Sequence, residues 1–137
     1  MKIYTKDLSS EFVSILNEYK YDVNASIEVA VEECAKSAVK ELRQTSPRGS
    51  GKTAGEYAKA WTYTKDKFNR NFGLFGVKVH NGKHYRLTHL LENGHDIINK
   101  NGVKVGRSKA IPHIKPVEEK TVAMFEDEIV RRINDIK

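Results

Sequence analysis

Two short runs limit what this chain can fold into. His84-Tyr85-Arg86-Leu87-Thr88-His89-Leu90-Leu91-Glu92-Asn93-Gly94-His95 reads as a short amphipathic helix stopped by glycine. Ala110-Ile111-Pro112-His113-Ile114-Lys115-Pro116 reads as a tight entry into a last helix, with Pro116 in its first turn. Between them lies a polar, basic stretch. Asn101-Gly102, flanked by Ile97-Ile98 and Val103-Lys104-Val105, makes that stretch a small hairpin or a flexible loop. The last helix follows on Val122, Phe125, Ile129, Ile133 and Ile136, which recur every three or four residues.

The first half of the chain supplies longer elements. Leu8, Phe12, Ile15, Leu16 and Tyr19 predict a helix over residues 7–20 that starts near Asp7 or Ser9. Val23, Ile27, Ala30, Val31, Cys34, Ala38 and Leu42 form a second helical stripe from Asn24 to Gln44. Glu28, Glu32 and Glu33 are expected on its outer face, in Glu-to-Lys pairs with Lys36 and Lys40. Pro47 disfavours a helical residue before it and ends this helix. Arg48–Gly55 is a glycine-bearing loop. Tyr57, Trp61 and Tyr63 then stand at even spacing and predict one face of a strand. Leu74–His80 predicts a second strand with Phe75, Val77 and Val79 on one face, closed by Asn81-Gly82. The expected fold is α+β. Long N- and C-terminal helices pack on a small antiparallel sheet, with a short helix and a long loop inserted. Residues 1–137 are read as one domain.

Charge is distributed unevenly. Residues 1–45 carry net −2, residues 46–116 net +10 and residues 117–137 net −2, giving +6 in all. A positive middle can attract nucleic acid or an acidic protein surface. No apolar run approaches the roughly 20 residues of a membrane span. Met1–Asp7 lacks the apolar core of a signal peptide, and one cysteine, Cys34, leaves no internal disulfide framework. Synthesis in the cytoplasm is the default expectation.

Several motifs suggest chemistry without completing it. Gly49-Ser50-Gly51-Lys52-Thr53 lacks the first glycine of a phosphate loop, because Ser46 stands there. A phosphate loop also needs a strand before it and a helix after it. His80, His84, His89, His95 and His113 invite a metal, with His89, Glu92 and His95 the best local trio, but His95 falls past the glycine stop. The order of elements gives no ββα nuclease unit, and no Gly-x-Ser-x-Gly elbow is present. Cys34 lies on an apolar stripe and reads as core. Tyr57, Trp61 and Tyr63 beside Lys59 and Lys65 could stack bases, but the same pattern describes a core-facing strand. No catalytic residue, cofactor or metal is expected.

The order of motifs resembles the gp-ten-like tail-component family of HK-type lambdoid phages. The resemblance rests on a long helix ending Glu41-Leu42-Arg43-Gln44-Thr45-Ser46-Pro47, the loop Lys52-Thr53-Ala54-Gly55-Glu56, His89-Leu90-Leu91-Glu92-Asn93-Gly94-His95, and Ile111-Pro112-His113-Ile114-Lys115-Pro116. The family's Thr-Gly pair is split here, and Pro112-His113-Ile114 replaces its common Arg-Pro-Phe. The resemblance implies a non-enzymatic virion protein of the neck or tail, made in the host cytoplasm, that completes the tail or joins it to the head. It implies a ring, often hexameric, that contacts the head connector and the tail terminator or tube proteins, with genomic DNA in the lumen and no membrane. Loops 46–56 and 95–110 are the candidate interface elements, with Arg48 and Lys52 in the first and Lys100, Lys104, Arg107 and Lys109 in the second. A basic nucleic-acid-binding protein of a phage or prophage is the alternative, and a small metal-dependent hydrolase is a third reading.

Overall fold

A computed structural model of the chain describes residues 10–66 and 76–136; of residues 10–13 and 16 it describes the backbone alone. The expected helix start at Asp7 or Ser9, the side chains of Phe12 and Leu16, and Leu74 and Phe75 lie outside the described residues.

Helix α1 runs unbroken from Ser10 to Thr45 over 36 residues, about 54 Å at 1.5 Å per residue. The two helices expected before Pro47 are therefore one. Asn24 favours a helix start, but no glycine or proline precedes Pro47, so nothing forces a break. Ser46 and Trp61 fix where α1 ends. The Trp61 Nε1–H donates to Ser46 Oγ at 2.8 Å. Arg43 in the last turn donates from Nε and Nη2 to the Trp61 carbonyl at 3.1 and 2.8 Å.

After a single 3-10 turn, Gly51–Thr53, the short helix α2 spans Glu56–Lys59 and strand β1 spans Trp61–Asp66. Tyr57 therefore lies on α2 and not on the strand. A separation of four fits one helix face as well as one strand face. Gly55, at φ 82°, supplies the left-handed turn that starts α2. Strand β2, Gly76–Asn81, pairs antiparallel with β1, placing Trp61 opposite Asn81, Tyr63 opposite Val79 and Lys65 opposite Val77. That face packs on α1. Asn81 is buried and makes the turn after it: Nδ2 donates to the Tyr57 carbonyl at 2.9 Å and Oδ1 accepts the His84 N–H at 2.8 Å.

A 3-10 turn, Tyr85–Leu87, leads into helix α3, Thr88–Asn93. The basic stretch after it is an ordered hairpin of β3 (Asp96–Ile98) and β4 (Lys104–Arg107), so the expected long loop is a second two-stranded sheet. Helix α4, Ile114–Asp135, packs antiparallel on the C-terminal part of α1, with Lys120 to Glu41 at 3.3 Å and Arg132 to Glu33 at 2.9 Å. The core is Ala38, Val39 and Leu42 of α1, Tyr57, Trp61 and Val117. The acids of α1 do not all face away. Glu32 meets Lys65 of β1 at 2.9 Å, and Glu33 pairs with α4. The expected helical pair is found for Glu32 and Lys36, at 3.7 Å.

Gly94 follows α3 at φ 74° and ψ 169°, so it is not the left-handed cap that the sequence suggests. Its positive φ and close packing both select glycine. A Cβ there would stand 2.6 Å from the Ser108 carbonyl oxygen, which is backbone and cannot swing away. Gly102, at φ 76°, has nothing within 4 Å. Gly94→Ala is expected to cost on the order of 3 kcal/mol and Gly102→Ala about 1 kcal/mol, the strain alone. Urea midpoints at unchanged m-value measure the difference.

Candidate functional site

Helix α4 begins without a local capping side chain. Its N-cap, His113, makes no side-chain cap bond. Four backbone N–H groups at a helix start need partners: the N-cap residue's own and the next three. Here those belong to His113, Ile114, Lys115 and Pro116. Proline has no N–H. Glu92, at the end of α3, takes the other three: Oε2 accepts from His113 at 2.8 Å and Ile114 at 2.9 Å, and Oε1 from Lys115 at 2.9 Å. The Ile111 N–H donates to the Leu91 carbonyl at 2.8 Å beside it. The end of α3 is thus bound to the start of α4, and residues 94–112 close into a loop between them.

His113 extends this latch into the core. It is 3% exposed. Nδ1 lies 2.7 Å from the Ile111 carbonyl, which can only accept, so Nδ1 carries the proton in the neutral ring. Nε2 then accepts the Tyr57 hydroxyl at 2.8 Å. Tyr57, Trp61 and His113 meet edge to face, with ring centroids 5.6–6.3 Å apart. Burial, and then the Glu92 charge, push the Tyr57 hydroxyl up to about 12. For Glu92, burial pulls the carboxyl up, but the amides of Ile114, Lys115 and His113 outweigh it and hold it below the usual range.

The loop closed by this latch is the β3–β4 hairpin. Ser108 fastens its base: its N–H donates to the His95 carbonyl at 2.8 Å and its hydroxyl accepts the His95 N–H at 2.9 Å. Asn99 shapes its tip, where Oδ1 accepts the N–H groups of Asn101 and Val103 at 2.9 and 3.0 Å. Among the described residues the strands contact little besides each other. Ile97, Ile98, Val103 and Val105 are 44%, 55%, 57% and 62% exposed. Two consecutive apolar residues in a three-residue strand place one on each face. Among the described residues, neither face of the hairpin is therefore covered.

The six cations expected at interfaces divide between two elements. Arg48 is built into the α1–α2 connection: Nη2 donates to the Arg43 carbonyl at 3.1 Å and its own carbonyl accepts the Gly55 N–H at 2.6 Å. Lys52 is exposed on the 3-10 turn. On the hairpin, Lys104 and Arg107 pair with Asp96 at 3.2 and 2.9 Å, and these two contacts hold the Asp96 carboxyl below its usual range. Lys100 and Lys109 are exposed and make no ion pair among the described residues. The trio His89, Glu92 and His95 does not converge, since Glu92 caps α4 and His95 bonds Ser108. Among the described residues no three metal-binding side chains gather. Tyr57 and Trp61 are core, so the base-stacking platform is closed. The sequence reading missed Glu92 as a cap and the exposure of the hairpin's apolar residues. The signal for the first was a helix entry, Ala110–His113, with no Ser, Thr, Asp or Asn to cap it.

The sequence model of the family described as "Bacteriophage HK97-gp10, putative tail-component" matches residues 10–94. The chain belongs to this family. The match spans α1 through Gly94 and so includes Glu92, while the hairpin and α4 lie beyond it. No curated protein and no solved structure matches the chain. As a member of the HK97-gp10 family the protein is a phage tail component. No helix among the described residues is long and apolar enough to cross a membrane.

Glu92→Gln should cost about 2–3 kcal/mol, because it replaces a charged acceptor of three amides with a neutral one. Glu92 has a depressed folded pKa, so its stabilisation is present above the ordinary carboxylate value. It is lost as pH falls through the folded value. Thermal melts from pH 7 down to 3 are expected to show a shallower acid limb in Glu92→Gln than in the parent.

Proposed function

We propose that this tail component is non-enzymatic and acts at the neck, completing the tail or joining it to the head as one protomer of a closed ring around the DNA channel. Its partners in this reading are further copies of itself, the head connector, the tail terminator or tube proteins, and the DNA in the lumen. Family membership supports the tail role. The observation that carries the assembly role is the β3–β4 hairpin, fixed at its base and apolar on both exposed faces. Such a feature is costly on an isolated soluble protein and marks a surface that is covered in an assembly. The six cations surround this function as steering or docking charges. Lys52, Lys100 and Lys109 are exposed for that purpose, and Arg48, Lys104 and Arg107 are held in place by the contacts above.

The alternative, nucleic-acid binding, rests on the same exposed cations and has lost its aromatic platform to the core. It predicts affinity that falls steeply with salt.

Deleting the gene from its phage is expected to leave filled heads and finished tails unjoined, counted by negative-stain microscopy. The intact gene in trans restores joined particles, and a Val105→Asp copy, equally stable in urea, does not. Normal joined particles from the deletion would reject the joining role.

A further inference from the structure

The ring reading leaves open which two surfaces meet. The chain carries a second exposed apolar projection. Arg132 near the end of α4 meets Glu33 of α1, so α1 residues 14–22 lie about three to five turns beyond that contact. In that stretch Ile15 and Tyr19 are 55% and 49% exposed, and Glu18 and Asp22 are exposed beside them. Positions 15, 18, 19 and 22 share one helix face, an apolar centre edged by two acids. The hairpin has the opposite character: between His95 and Ala110, Asp96 is the one acid against Lys100, Lys104, Arg107 and Lys109.

We propose that the β3–β4 hairpin of one copy docks on the Ile15–Glu18–Tyr19–Asp22 face of α1 in a second copy. The assignment rests on the ring reading above and names its interface. Charge decides the pairing. Hairpin against hairpin would bring lysines together, and α1 arm against α1 arm would bring acids together. Hairpin against arm joins opposite charges over apolar centres. The two patches differ and both lie on every copy, so the contact is head to tail and repeats until the ring closes.

The full chain carrying Tyr21→p-benzoylphenylalanine, irradiated at high protein concentration, tests this. Tyr21 borders the face and is 74% exposed, so the photoprobe leaves the core intact. Adducts between copies are expected to map to residues 96–107. Adding Lys100→Glu and Lys109→Glu should lower their yield about tenfold, and further adding Glu18→Lys and Asp22→Lys should restore it. None of these four side chains makes an ion pair among the described residues, and thermal melts verify that the variants stay folded. Adducts that map elsewhere, no adducts between copies, or a yield indifferent to charge would overturn the assignment. The gene deletion judges the joining role separately. Unjoined heads and tails with no hairpin adduct would sink this interface alone. Normal particles with the expected adduct would sink the joining role alone.

Discussion

The carboxylate of Glu92 is the contact on which the second half of the molecule depends. Three backbone amides at the start of α4 converge on it, and Pro116 removes the fourth that would need a partner. A single side chain therefore decides where α4 begins and how far it stands from α3. His113 carries that constraint to Tyr57, and Tyr57 meets Trp61, which in turn holds the end of α1 through Ser46 and Arg43. Removing a charged acceptor shared by three amides, two of them partly buried, costs more than breaking any one of its bonds.

The hub has a geometric consequence. Residues 94–112 must leave α3 and return to α4 within a short span, so the intervening chain projects as a hairpin. Gly94 is where the outgoing and returning backbones come closest, against Ser108 and Ala110. A clasped base with uncovered apolar faces is a physical arrangement for contact with another molecule. At the other end, α1 continues past the point where α4 covers it, and it carries acids where the hairpin carries bases.

The two long helices were legible because their apolar residues recur at helical spacing over many turns. The continuity of α1 was not, because Asn24 imitates a helix start while only the missing breakers argue against one. The hairpin strands were located from Asn101-Gly102, but sequence alone left order or flexibility open; the Asn99 turn and the Ser108 clasp are contacts that periodicity does not encode. Tyr57 was misplaced because a four-residue step to Trp61 serves both a helix and a strand. The six candidate interface cations are legible in the sequence as charges only. That Arg48 is tied into the body while Lys100 and Lys109 make no ion pair among the described residues depends on neighbours distant in sequence. Glu92 belongs to the run that most limits this chain, where its spacing to His89 and His95 suggests a ligand rather than a cap. Its role needs the partner 21 residues later, His113, whose amide it accepts.

The central claim is a place in the particle. A cryo-electron microscopy reconstruction of the joined head–tail region tests it most directly. The account predicts density for this fold, repeated as a closed ring around the DNA channel at the head-proximal end of the tail. A neck fully built from other proteins, with no density for this fold around the channel, would contradict it.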